Sequence, residues 1–324
     1  MADDFVPEVV CVGETMAVLS PMDARPLERQ TALALSVGGA ESNVAGALAA
    51  LGHRASWLSR VGDDPLGRRV LDDLATRGVD ISAVRTDPER ATGVYFKEPG
   101  PNATSTYYYR RGSAASAMEP GLARLPLLSR ARVLHLSGIT AALSASCADL
   151  LTEIICRRSE PGPIVSFDVN YRPALWRRRS DAGRLLLEFA RNADLVFVGR
   201  DEAESLWDTR KAGEVRDLIG AGPVVVVKDA GQGATAYANG EEVFVPAPAC
   251  DVVERVGAGD AFAAGYLAAL LEGRDVAARL RLGHLVAVAT LTTRHDVPAV
   301  PDRGVLDRHL GLDDAGWSAL RLSG

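Results

Sequence analysis

Short runs of branched apolar residues recur along the chain with helix-length stretches between them, and this alternation restricts the fold more than any other feature. Residues 133–136, 164–167, 195–198 and 224–227 are such runs, and Val9–Val12 is another that ends at Gly13. Polar residues, Gly or Pro bound each one. Strands buried on both faces of a parallel sheet read in this continuous way, whereas half-exposed strands alternate. Residues 44–51 read as an Ala-rich helix stopped by Gly52, residues 55–61 as a strand, and residues 67–76 as a helix with Gly78 as its stop signal. The expected fold is α/β and doubly wound: a mostly parallel central sheet flanked by helices, with ligands at the C-terminal ends of the strands.

Two stretches break this rhythm. Residues 16–37 and 92–111 show β-type alternation without helical periodicity. In the second, Thr104, Thr106, Tyr108 and Arg110 fall on one face, because side chains alternate along a strand. Strands within residues 14–37 and 92–111 are expected to form a small β-sheet lid; two surface hairpins without a binding role are the alternative. At 324 residues and 47% hydrophobic content the chain has material for a sizeable core. With no internal repeat and no low-complexity linker, residues 1–324 read as a single domain. The tail from Pro301 is polar, with a short helix expected after Asp313.

Charge and cysteine usage exclude several classes of function. A formal net charge of −6 offers no basic field for nucleic acid and no Lys/Arg tract for a membrane surface. Cys11, Cys147, Cys156 and Cys250 are scattered, so neither a disulfide framework nor a zinc site is expected. The acidic start Met1-Ala2-Asp3-Asp4 lacks the basic region and apolar run of a signal peptide, and no apolar stretch reaches the roughly 18 residues of a membrane span. A cytoplasmic location is the expectation.

The segment richest in chemistry is Gly257-Ala258-Gly259-Asp260-Ala261-Phe262, directly ahead of a run to Leu271 that reads as an amphipathic helix. A helix N-terminus presents unpaired N–H groups and partial positive charge, and glycines let a phosphate approach them. A carboxylate there suits phosphoryl transfer, drawing a proton from an acceptor hydroxyl beside a cradle for developing negative charge. An ordinary Gly-rich turn with Asp260 stabilising the first helical turn is the alternative. No Gly-Lys-Ser/Thr occurs, so this is not a Walker loop, and the third Gly of a dinucleotide fingerprint would fall at Phe262. Gly38-Gly39-Ala40-Glu41-Ser42-Asn43 offers close backbone approach to a polyol and an amide that both donates and accepts, or else a capped strand–helix turn. In Asp168-Val169-Asn170-Tyr171-Arg172 an extended backbone would point Asp168, Asn170 and Arg172 the same way. Arg172 then either grips a carboxylate or makes a surface salt bridge.

These residues resemble the ribokinase/PfkB-like carbohydrate kinases. The G-G-A-x-x-N-x-A segment at 38–45, Val61-Gly62-Asp63-Asp64-Pro65-Leu66-Gly67 and the late G-A-G-D occur in that family's order and spacing, over roughly residues 9–294. Within the family the chain is most similar to 2-keto-3-deoxygluconate kinases, through residues 107–114, 134–140 and 168–172. The resemblance implies ATP as donor with Mg²⁺, Asp260 as base and the N–H groups of Gly257, Ala258 and Gly259 as anion hole. It implies a sugar-acid pocket of Gly39, Asn43, Tyr95, Tyr108, Arg110 and Arg172. It implies nucleotide contacts at Lys228, Gly231, Gly233, Gly257, Gly259 and the region of His284, although packing is the simpler role for His284. Glu202 would organise Mg²⁺ through water, or else serve as a helix-start carboxylate. A homo-oligomer, such as a dimer through the lids, is also implied.

The sequence departs from the family pattern in places. Glu254-Arg255-Val256 stands where an Asp-Thr-Thr lead-in is common, which argues against activation by a monovalent cation such as K⁺. Gly199 stands where an Asn is usual, and Ala230 where a Gly is usual. Two Arg converging on one small ligand favour an acid, since a neutral sugar would leave their charges buried and unpaired. The expected activity is therefore phosphorylation of a primary hydroxyl of 2-keto-3-deoxygluconate or a near isomer. The alternatives are a family kinase of fructose, another deoxy-sugar acid or a nucleoside, and a silent sugar-binding protein.

Overall fold

The apolar runs become strands whose alternate side chains feed two cores, one on each face of the central sheet. The computed structural model describes residues 5–23, 25–100, 104–158, 161–293 and 300–322. The reading of residues 1–4, and of residues 101–103 in the second alternating stretch, lies outside that range. In chain order the strands are β1 (Val9–Val12), β2 (Met16–Pro21), β3 (Leu33–Gly38), β4 (Ala55–Leu58), β5 (Arg60–Gly62), β6 (Arg85–Asp87), β7 (Val94–Pro99) and β8 (Thr104–Tyr109). They continue with β9 (Val133–Ser137), β10 (Ile164–Asp168), β11 (Leu195–Gly199), β12 (Val224–Asp229), β13 (Gly233–Ala238) and β14 (Glu241–Pro246). The helices that shape the site are α1 (Ala40–Ala50), α2 (Pro65–Thr76), α3 (Gly138–Leu143), α4 (Arg200–Trp207), α5 (Ala258–Leu271) and α6 (Val276–Leu291).

The central sheet runs β14-β13-β12-β11-β10-β9-β1-β4. It is parallel from β12 to β4, and β13 and β14 add an antiparallel edge. Val9, Cys11, Phe197 and Val226 pack against α1, α5 and α6 on one face. Val10, Val12, Leu136, Phe167 and Val198 pack with Leu150, Leu186 and Phe189 on the other. Burial on both faces is why these runs carry no polar alternation.

Several local expectations need correction. The helix expected at 44–51 begins at Ala40, because Gly39 in extended conformation caps it, and Asn43 therefore lies inside its first turn. The strand expected at 55–61 breaks at Ser59 into β4, in the central sheet, and β5, which pairs with β6. The run to Leu271 is not amphipathic. Residues 261–269 of α5 are all buried, since this helix packs between α1 and α6 beneath the sheet, and a helix enclosed on all sides is apolar all round. A helix at Arg303–Leu310 precedes the short one expected after Asp313, which spans Asp314–Ser318.

The two alternating stretches form a separate four-stranded sheet, β3-β2-β7-β8. Its own buried cluster is only Met16, Val18 and Tyr95. Asp64 ties it to the main body. One carboxylate oxygen caps α2 by accepting from the Gly67 N–H at 2.7 Å, and the other accepts from the Thr92 N–H at 2.8 Å, just ahead of β7. Among the described residues no helix is long and apolar enough to cross a membrane.

Candidate active site

Five neighbouring parallel strands end at one cavity of about 480 Å³. Glu14 follows β1, Ile139 lies in α3 after β9, Asp168 ends β10, Glu202 lies in α4 after β11, and Lys228 is near the end of β12. The small sheet closes the other side with Met16, Tyr95, Thr106, Tyr108 and, just past β8, Arg110. Gly39 sits where a Cβ would come within 2.3 Å of the Glu14 carbonyl oxygen, so only glycine lets the start of α1 reach this wall. Asn170 adopts a φ of 39°, so residues 168–172 are not the extended segment expected. Asp168, Asn170 and Arg172 line the cavity nonetheless.

Asp260 lies in the first turn of α5, whose N-cap Gly257 takes a left-handed φ of 85°. Gly257, Gly259 and Asp260 line the cavity. Ala258 does not, and its N–H leans back towards the Arg255 carbonyl at 3.4 Å. The Asn43 side-chain amide donates to the Asp260 carboxylate at 2.9 Å. Its own Oδ1 is buried and accepts no hydrogen bond among the described residues. Burial pushes the Asp260 pKa up to about 7, against the Asn43 hydrogen bond and with reinforcement from Asp168, while Arg172 and Lys228 pull the other way. A carboxylate that gains and loses a proton near neutrality is suited to general-base work.

Six of the remaining charged groups of the lining form three pairs, and Arg255 stands outside them. The Lys228 ammonium donates to Asp168 at 2.7 Å. Burial pulls its pKa down, yet Asp168, Glu202 and Asp260 together hold it above the ordinary value. Arg172 lies 3.3 Å from Glu202, whose pKa is raised by burial and by Asp168. Arg110 is held by Glu14, and the Ser113 hydroxyl also donates to Glu14. This corrects one step of the sequence reading. Neither Arg110 nor Arg172 awaits a ligand carboxylate to neutralise it, so their presence does not by itself disfavour a neutral sugar.

The residues singled out by sequence divide into two groups. Gly39, Asn43, Tyr95, Tyr108, Arg110, Arg172, Glu202, Lys228, Gly257, Gly259 and Asp260 converge on the cavity. Gly231, Gly233 and His284 lie outside its lining. A Cβ on Gly233 would come within 2.4 Å of the Val245 carbonyl oxygen, so this glycine serves the β13–β14 crossing. The His284 Nε2–H donates to that same carbonyl at 3.1 Å, its ring stands edge-on to Phe262 at 5.1 Å, and burial lowers its pKa to about 4. Sequence reasoning missed Glu14, Ile139 and Arg255. Glu14 had a signal: a charge one residue beyond a buried strand and its Gly in a parallel sheet points to the ligand edge.

The chain has counterparts among known proteins. The chain is 34% identical to the 2-dehydro-3-deoxygalactonokinase of Haloferax volcanii, over 95% of this chain and 98% of that one. It is 33% identical to the 2-dehydro-3-deoxygluconokinase of Bacillus subtilis, over 91% and 93%. The crystal structure of a PfkB protein from Polaromonas superposes with a TM-score of 0.83 at 33% identity, covering 93% of this chain and 99% of that one. Residues 6–303 match the profile of the pfkB family carbohydrate kinases, and the chain belongs to that family.

Proposed function

We propose that this carbohydrate kinase transfers the γ-phosphoryl group of ATP to a primary hydroxyl of a 2-keto-3-deoxy sugar acid, 2-keto-3-deoxygluconate or a near isomer. The observation that carries the chemistry is Asp260, raised to about 7 and oriented by Asn43 at the glycine-lined start of α5. In its ionised form the carboxylate takes the proton of the acceptor hydroxyl. The N–H groups of Gly257 and Gly259 face the developing charge. Asn43 Oδ1 accepts from the sugar. Lys228 stands beside this start, its ammonium 3.5 Å from where a Cβ on Gly259 would lie.

Both Glu202 oxygens are engaged, one by the Gly199 N–H at 3.0 Å and one by Arg172. No group of three or more His, Cys, Asp or Glu among the described residues could hold a metal ion. With both of its oxygens engaged, Glu202 would reach Mg²⁺ only through water, the ion being held by the substrate phosphates. When bound, the ion neutralises phosphate charge.

The acid preference rests on Arg172 and on the relatives above. Arg172 is 44% exposed and can turn from Glu202 to a substrate carboxylate. The small sheet acts as a lid over the sugar, and its exposed Leu35, Tyr107 and Tyr109 suit contact with a second copy. A coupled ADP-release screen across gluco and galacto 2-keto-3-deoxy acids, other sugar acids and neutral sugars tests the reading. The acids are expected to give the highest kcat/KM, and Arg172→Ala to cost them at least about tenfold more than fructose, the value of one charge-assisted hydrogen bond. Faster turnover of fructose than of every acid would overturn the substrate assignment.

A further inference from the structure

Four cationic side chains line the cavity, and three of them are spoken for: Arg110 by Glu14, Arg172 by Glu202 and Lys228 by Asp168. Arg255 is the fourth. It is exposed and makes no ion pair among the described residues. Its neighbour Glu254 does not neutralise it. One Glu254 oxygen accepts from the Arg255 and Val256 N–H groups at 2.8 and 3.2 Å, and the other lies 3.4 Å from the Thr104 hydroxyl. Glu254 thus fixes the backbone of this loop and leaves the guanidinium free.

Beside these three pairs, Arg255 and Asp260 are the charged lining residues without an ion-pair contact among the described residues. They lie on one segment, on either side of the Gly257–Gly259 turn. A phosphoryl group in transfer spreads negative charge over its oxygens, and a cation placed on them lowers the barrier. Taking Arg110 or Lys228 for this task would leave a buried carboxylate unpaired, which is costly, and Arg172 is given to the substrate carboxylate in the reading above. Recruiting Arg255 breaks no contact. Its planar fork of N–H donors also matches phosphate oxygens better than an ammonium does. We infer that Arg255 is a further catalytic residue, its guanidinium contacting the oxygens of the transferring phosphoryl group.

This inference rests on the phosphotransfer reading above, and the experiment separates the two. Affinities for ADP, and for ADP with aluminium fluoride as a mimic of the transferring group, are measured with Mg²⁺ and the best acid substrate. Wild type, Arg255→Gln and Arg255→Lys are compared, with steady-state rates and melting temperatures alongside. The exposed loop position predicts unchanged melting. Arg255→Gln is expected to bind ADP within about threefold of wild type, yet to lose about a hundredfold in the fluoride complex and in kcat, the scale of one removed transition-state donor. Arg255→Lys, which keeps the charge without the fork, is expected to recover part of both losses. An active wild type whose Arg255→Gln variant keeps its fluoride-complex affinity and kcat overturns the role of Arg255 alone. So does an equal loss of ADP and fluoride-complex affinity, which would mark a ground-state anchor. A wild type that turns over no sugar removes the phosphotransfer reading and this inference with it.

Discussion

The two walls of the cavity are built on opposite terms. The strand-end wall rises from the central sheet, where Val9 to Val12, Phe167 and Val196 to Val198 are fully buried. The small sheet has a buried cluster of Met16, Val18 and Tyr95, and exposes Tyr107, Tyr108 and Tyr109 by 47%, 41% and 68%. In the proposed reading the proton transfer falls to the rigid elements, together with the sugar contacts of Asn43 and Arg172, and the small sheet adds recognition by weakly buried residues, which open at low free-energy cost.

The largest effect expected from this division is at the strand-end wall. Asp260→Asn should cut kcat by at least about a hundredfold, since base catalysis is worth 10²–10⁴. Sugar and nucleotide affinity should change little, because the Asn43 amide keeps an oxygen to donate to. Turnover near the wild-type rate would sink the base assignment and, with it, the reason for placing chemistry on that wall.

Next in size is the buried ion pair between the walls. Glu14, 2% exposed, follows β1, while its partner Arg110 follows β8. Arg110→Met leaves a buried carboxylate without its cation and should cost about 3 kcal/mol in urea denaturation, the low end for breaking a buried pair. Adding Glu14→Gln should restore about half of that. An unchanged midpoint in the single variant would mean that the small sheet is held by something other than this pair.

How much of this was legible in the sequence follows the same contrast. The central sheet could be read because burial on both faces writes itself as unbroken apolar runs, as at residues 195–198. The small sheet could be read from alternation, as at Thr104, Thr106, Tyr108 and Arg110. What escaped depends on three-dimensional neighbours. No local pattern shows that α5 is enclosed between α1 and α6, and its apolar content was mistaken for one face of a surface helix. No spacing shows that Glu14, 96 residues from Arg110, already neutralises it. Asn170 in left-handed conformation reached the cavity by a route that an extended backbone does not describe. Gly233 matched a family position but meets β14, and His284, for which packing was the simpler role, hydrogen-bonds to the same strand.

A smaller effect follows from the raised pKa of Asp260. Its carboxyl goes from an ordinary 3.8 to about 7 on folding, so the folded state favours the protonated form. That contribution is fully present below pH 4 and is lost as pH rises through about 7. Ionised Asp260 therefore destabilises the fold at alkaline pH, and Asp260→Asn should melt about 1–2 °C above wild type at pH 8, the shift that roughly 1 kcal/mol produces in a chain of 324 residues. The gap should close towards pH 4. The same ionisation should make wild-type kcat/KM rise with pH and level off above about 7. A variant that melts with wild type at every pH would show that solvent reaches this wall more freely than its geometry indicates.

The smallest effect belongs to the small sheet and tests whether it recognises rather than reacts. The Tyr108 ring lines the cavity, 5.5 Å from the Tyr95 ring and 5.5 Å from the Arg110 guanidinium. Being 41% exposed, it contributes little to the core. Tyr108→Ala should leave the melting temperature nearly unchanged and raise KM for the sugar up to about tenfold, the worth of one aromatic contact. The value of kcat should stay within about threefold. A loss concentrated in kcat instead would place Tyr108 among the groups that align the reacting hydroxyl, and the division of labour between the two walls would have to be abandoned.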